Sequence, residues 1–189
     1  SCYVWNEQYC LSLAKQVKQE FPECRIIFGG AQTSVRLLDY EFIDSVILAE
    51  GEESFADFLI SDNPQQVYTK QRMSNLEIPS PYTTGLFDKI IQDNPNALWS
   101  MTFETNRGCP FACTFCDWGG TTYSKVRKFD IDRITADLEW AIDKPVSYVF
   151  CADANFGIFK ERDLEIARVL KRVADKGFIE TINLQYAKN

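Results

Sequence analysis

Short apolar runs alternate with helix-length amphipathic stretches along most of this 189-residue chain, and that alternation constrains the fold more than any other feature. It calls for an α/β architecture with parallel strands joined by covering helices. Residues 1–5 read as a strand. Residues 7–21 read as a helix, with Leu11, Leu13, Ala14, Val17 and Phe21 near helical spacing and Pro22 at its end. Strands are expected at 25–28 and 45–49, a short helix at 35–42 and a further helix from Ser54 to Ile60. Residues 1–60 therefore read as half of a doubly wound sheet. Residues 61–97 are punctuated by prolines and asparagines and read as a connection between two domains. The α/β pattern resumes over 98–189. A strand is expected at 98–104, then a long loop over 105–128, a helix at 131–142 with Asp130 as its N-cap, a strand at 146–151, a helix at 162–176 closed by Gly177, and a last strand from Ile179.

Charge and composition exclude several classes. The net charge of −7 leaves no basic face of the kind that neutralises nucleic-acid phosphates. The small group Lys125, Arg127 and Lys128 reads as a solvated loop. No run of about 18 apolar residues exists, so no membrane span is expected. No signal peptide is visible. Seven cysteines without a secretory signal point to a reducing, cytoplasmic setting, where cysteines serve as ligands or as small buried residues. Histidine is absent. Within the chain this removes Ser-His-Asp triads, Cys-His pairs and zinc sites of the Cys/His type.

The loop expected over 105–128 contains Cys109, Cys113 and Cys116 in a C-x3-C-x2-C arrangement, flanked by Gly108, Pro110, Gly119 and Gly120. A loop that long inside a compact domain is uncommon unless it is functional. Three thiolates so close together can wrap one face of an iron–sulfur cluster. A three-cysteine set leaves one iron open, which is the arrangement of a catalytic metal rather than a structural one. Structural zinc, with Cys151 or a partner chain as fourth ligand, is the competing reading.

The spacing, together with the aromatic Phe115 before the last cysteine and the strand before the loop, resembles the radical SAM superfamily. The resemblance implies a partial (β/α)6 barrel starting near Leu98. It implies a 4Fe–4S cluster on Cys109, Cys113 and Cys116, with S-adenosylmethionine on the open iron and reductive cleavage to a 5′-deoxyadenosyl radical. It also implies an electron donor such as flavodoxin or ferredoxin. Phe115 would lie near the adenine. Asp153 and Asn155, after the second strand, would sit where the family contacts the methionine amino group. Ala152-Asp153-Ala154-Asn155-Phe156 stands here in place of the usual Gly-Gly-Glu, and an end-of-strand turn is the plainer reading of those side chains.

Residues 1–60 resemble the C-terminal part of the Rossmann-like cobalamin-binding domain that precedes the barrel in many members of the superfamily. Ser1-Cys2-Tyr3 resembles its Ser-x-Leu element, Gly29-Gly30 its glycine pair near the nucleotide tail, and Gly51-Glu52 the motif before its last helix. By resemblance, Ser1, Tyr3, Gly29, Gly30, Gly51 and Glu52 would contact cobalamin. The Asp-x-His-x-x-Gly loop of many such domains would precede Ser1, and fewer than six βα units follow Leu98. The expectation is a piece of a longer protein. The resemblance implies a cobalamin-dependent methyltransferase acting on an unactivated carbon of an unidentified small-molecule or peptide substrate. The rivals are a cobalamin-independent radical rearrangement, cyclisation or sulfur-insertion enzyme, a zinc-stabilised binding module, and a non-catalytic remnant.

Overall fold

The computed structural model describes residues 1–70, 73, 75–111, 113–114 and 125–186. The chain divides into two compact units, Ser1–Met73 and Ser74–Asn189. Both are α/β, each with a parallel three-stranded sheet, as the alternating pattern calls for.

The first unit carries α1 (Glu7–Glu20), β1 (Ile27–Phe28), β2 (Ser45–Leu48), α2 (Glu52–Ile60) and β3 (Val67–Thr69). Its sheet runs β1-β2-β3, all parallel. Successive side chains on the central strand point to opposite faces. Val46 joins Leu11 and Ala14 of α1, Phe28 and Leu37 in one cluster, while Ile47 joins Phe58 of α2 and Tyr68 in another. Burial on both faces explains why β2 reads as an unbroken apolar run. The short helix expected at 35–42 is a 3-10 turn, Val35–Asp39.

The strand expected at 1–5 does not form. Asn6 accepts a hydrogen bond from the Tyr3 amide at 2.8 Å and turns the chain directly into α1. Cys2 alone keeps sheet-like pairing, donating its N–H to the Gly29 carbonyl at 2.6 Å and accepting from Gln32 at 3.1 Å. Tyr3 and Trp5, freed from a sheet, stack with ring centroids 4.7 Å apart.

The second unit contains α3 (Asp88–Asp93), β4 (Trp99–Phe103), β5 (Asn106–Arg107), β6 (Arg127–Lys128), α4 (Ile131–Trp140), β7 (Val146–Phe156), α5 (Lys160–Lys176) and β8 (Thr181–Tyr186). Its main sheet is β4-β7-β8, parallel throughout. Met101 and Phe103 of β4 and Val146, Val149 and Cys151 of β7 pack beneath Ile134 and Leu138 of α4 and Ile166, Leu170 and Val173 of α5. Asp130 caps α4 as expected, accepting from the amides of Asp132 and Arg133. β7 runs past the expected end at Cys151 as far as Phe156, which pairs with Tyr186 after a register irregularity. Asp153 and Asn155 therefore lie within a strand rather than in the turn that the sequence suggests.

Residues 61–97 divide between the two units. Val67–Thr69 is the third strand of the first sheet. Leu76 and Ser80 are buried in the second unit. There Ser80 donates its hydroxyl to Asp137 of α4, and Tyr82 bonds both the N–H and the carbonyl of Thr102 on β4. The Tyr82 ring packs 5.0 Å from Trp140, so the proline-flanked segment is fastened to α4 and β4.

Candidate metal centre at the cysteine loop

β4 ends at Phe103, and the chain passes through Glu104 into Thr105 and Asn106, both buried. Asp153 of β7, 1% exposed, gathers these two residues. Its carboxylate accepts from the Thr105 amide at 2.6 Å, the Thr105 hydroxyl, the Asn106 amide at 3.2 Å and the Asn106 side chain at 2.7 Å. Burial pushes the Asp153 pKa up, and the bonds from Thr105 and Asn106 oppose that rise. Burial likewise raises Asp137, against the hydroxyl of Ser80. Each group holds its proton more tightly folded than unfolded. Their contribution therefore favours the folded state most below the unfolded carboxylate value of about 3.9, and it fades as pH rises through the raised folded values. Asp137→Asn should flatten the pH dependence of unfolding as pH rises above the ordinary carboxylate range of about 4, read by denaturant titration. An unchanged slope would contradict this.

The loop itself is tied at its neck. Asn106 pairs with Lys128 and Arg107 with Arg127 in a two-rung antiparallel ladder, which turns the long loop of the sequence into a pinched one. Arg107 is held by Glu104 at 2.9 Å. Two guanidinium groups approach the Phe129 ring, that of Arg133 to 4.4 Å and that of Arg107 to 5.6 Å from its centroid. At Gly108 the chain takes φ +107, a conformation that favours glycine, and this turns Cys109 back toward β7. Cys109 is buried, and Asn155 donates its side-chain N–H to the Cys109 sulfur at 2.9 Å. Cys113 is exposed. Both are free thiols. Cys116 and Phe115 lie outside the described residues. Among the described residues no three His, Cys, Asp or Glu side chains converge as a metal site.

Cys151 is a core residue. Burial, reinforced by Asp153, pushes its thiol up to about 12, so it remains protonated beside the loop. Asn155 and Asp153, paired in the sequence reading, have different surroundings. Asn155 touches Cys109, whereas all four described bonds of the Asp153 carboxylate go to Thr105 and Asn106. Sequence reasoning missed Thr105, Asn106 and Arg162. The Arg162 guanidinium donates to the carbonyls of Thr105 and Phe129, but in sequence it belongs to an ordinary charged helix face.

In the first unit, Gly29-Gly30 follows β1 and Gly51-Glu52 follows β2, so parallel pairing places both at the same edge of the sheet. Gly30 has φ +113, and a Cβ there would meet the Cys2 carbonyl oxygen at 2.7 Å. The close approach that this glycine permits is made by the chain's own Cys2. A Cβ on Gly51 would meet nothing within 4 Å. Ser1 is exposed at this edge, beside Tyr3.

No protein-family model matches the chain. It is 36% identical over its whole length to the 2-(S-pantetheinyl)-carbapenam-3-carboxylate methyltransferase of Streptantibioticus cattleyicolor, covering 32% of that protein. It is 33% identical, again over its whole length, to the cobalamin-dependent radical SAM methyltransferase TokK of Streptomyces tokunonensis, covering 32% of it. The chain is thus similar along its whole length to methyltransferases, one of which is named a cobalamin-dependent radical SAM enzyme. A more distant relative, at 26% identity over 95% of this chain, is the hopanoid C-3 methylase of Methylococcus capsulatus, 38% of which is covered. The chain spans about a third of the length of the curated relatives it matches in full. Among the described residues no helix is long and apolar enough to cross a membrane.

Proposed function

We propose that this chain carries the cluster-binding segment and part of the cobalamin-binding domain of a radical SAM methyltransferase acting on an unactivated carbon. The observation that carries the reading is the seating of Cys109. The residue is buried past a pinched neck and a glycine turn, and its sulfur receives an N–H from Asn155. A free thiol with a hydrogen-bond donor aimed at its sulfur suits cluster ligation, where such bonds stabilise charge on the ligand. Cys113, exposed four residues on, is free to turn to the same cluster, and Cys116 completes the set by its spacing. Named methyltransferases matching the whole chain support the class of reaction.

When bound, the cluster supplies the electron that cleaves S-adenosylmethionine to the 5′-deoxyadenosyl radical, and cobalamin supplies the transferred methyl. The protein's part is orientation. Asp153 fixes Thr105 and Asn106 at the end of β4, and Asn155 orients the Cys109 sulfur. The strand-end glycines and Ser1, Tyr3 and Glu52 offer a cobalamin-facing edge on the first unit. With no histidine in the sequence, this chain offers cobalt no imidazole. An electron donor of the flavodoxin or ferredoxin kind would deliver the electron, and a cytoplasmic setting would keep the thiols reduced.

Anaerobic reconstitution of the chain with iron and sulfide, followed by reduction with S-adenosylmethionine, should yield 5′-deoxyadenosine. Cys113→Ala should lose both the cluster absorbance and the product. Purification with zinc at one per chain and no cluster after reconstitution would overturn the proposal. Cobalt retained by the protein after incubation with cobalamin separates the methyltransferase from a cobalamin-independent radical enzyme.

A further inference from the structure

We propose that Arg162 is a positioning residue that clasps both stems of the cysteine loop, and through them sets where Cys109 is presented. The inference rests on the cluster reading above. Arg162 stands in the first turns of α5, and its side chain is 16% exposed. One guanidinium nitrogen, Nη2, donates to the Thr105 carbonyl at 2.9 Å and to the Phe129 carbonyl at 2.8 Å. Thr105 immediately precedes β5 and Phe129 immediately follows β6, so this one side chain grips the incoming and outgoing stems together. The stems also touch directly, the Phe129 amide donating to the Thr105 carbonyl at 3.0 Å.

The neck needs that help. Its ladder has two rungs, and a hairpin of that length enclosing a long loop is not stable by itself. Bonds from a charged donor are stronger than neutral ones. A guanidinium withdrawn from water against carbonyls also costs free energy unless its bonds are good. The guanidinium is oriented from behind. Its Nη1 lies 3.7 Å from the Asp163 carboxylate, and Asp163 in turn accepts from the amides of Gly157 and Phe159. Gly157 follows directly on Phe156, the last residue of the strand that holds Asp153 and Asn155, and Phe159 stands two residues beyond Gly157. The clasp therefore ties the stems to the same strand end that holds the Cys109 sulfur. Cys109 is two residues beyond the last rung, so a neck that opens carries it away from Asn155.

The test compares the wild-type chain with Arg162→Ala, Arg162→Gln, Arg162→Lys and Arg168→Ala, the last being an exposed position on the same helix. Two readouts are taken. In metal-free protein, tryptic cleavage at Arg127 and Lys128, the β6 side of the ladder, reports opening of the neck. In anaerobically reconstituted protein, iron release to a chelator and the electron paramagnetic resonance of the reduced cluster report the ligand set. Arg162→Ala should speed cleavage and iron release by about tenfold or more and broaden the resonance. Arg162→Lys should recover most of the loss, because an ammonium can also donate to two carbonyls. Arg168→Ala should match wild type. Where Arg162→Ala does not fold, Arg162→Gln, which keeps N–H donors but loses the charge, should show the same direction. Wild-type rates and an unchanged resonance in Arg162→Ala and Arg162→Gln would overturn the clasp. A wild-type chain that takes up no iron would instead overturn the cluster reading, and the cleavage rates would still decide the clasp.

Discussion

Asp153→Ala is expected to destabilise the Ser74–Asn189 unit by about 3–4 kcal/mol, lowering its melting temperature by about 10 °C or more. The reason is the number of donors it strands. The Thr105 amide and hydroxyl and the Asn106 amide and side chain all turn to this one carboxylate in a buried setting. Each donor left without an acceptor costs about 1–3 kcal/mol. Relief of the carboxylate's own burial, which already raises its pKa, offsets part of the sum. Asp153→Asn keeps one acceptor oxygen but points an amide N–H at competing donors, so it should fall between wild type and Asp153→Ala. Differential scanning calorimetry, with hydrogen exchange at the Thr105 and Asn106 amides, checks the size and the place of the effect. A loss below about 1 kcal/mol with those amides still protected would show that the hub carries little of the fold.

Gly30→Ala is the second large effect, and it falls on the first unit. A Cβ at this position would lie 2.7 Å from the Cys2 carbonyl oxygen and 2.8 Å from its amide nitrogen. Both are backbone atoms and cannot swing aside as a flexible side chain does. The φ of +113 adds strain of about 1–3 kcal/mol for any residue with a Cβ. The expected total is about 3 kcal/mol or more, together with release of Ser1–Cys2 from Gly29. Gly29→Ala is the control, because its Cβ would meet Ile47 at an ordinary 3.8 Å. It should change stability by less than about 1 kcal/mol. Loss of exchange protection at the Cys2 and Gln32 amides in Gly30→Ala, and not in Gly29→Ala, is the expected pattern. Equal stability of the two variants would contradict the account.

Much of the architecture is written in local periodicity. Leu11 and Ala14 mark the buried face of α1, Asp130 marks the start of α4, and the apolar run of β2 announces a strand buried on both faces. What escaped the sequence depends on pairing between distant segments. β5 and β6 are two residues each, too short for alternation to show, and they exist because Asn106 meets Lys128 across the loop. β7 outruns its apolar stretch because Phe156 pairs with Tyr186. A single side-chain bond from Asn6 was enough to replace the expected first strand with a turn. The candidate site divides in the same way. The cysteine spacing is visible to the eye, and Asn155 can be named from its place after the second apolar run. Its contact with Cys109, the Asp153 hub and the Arg162 clasp bring together residues 33 to 57 positions apart, and no local pattern signals them.

The central claim is that Cys109, Cys113 and Cys116 hold a cluster with one iron left open for S-adenosylmethionine. Mössbauer spectroscopy of the anaerobically reconstituted chain, with and without S-adenosylmethionine, tests it most directly. The account predicts a 4Fe–4S signal in which one iron site, and no other, changes when S-adenosylmethionine is added. A cluster whose iron sites are all indifferent to S-adenosylmethionine, or a protein that holds zinc and assembles no cluster, would contradict it.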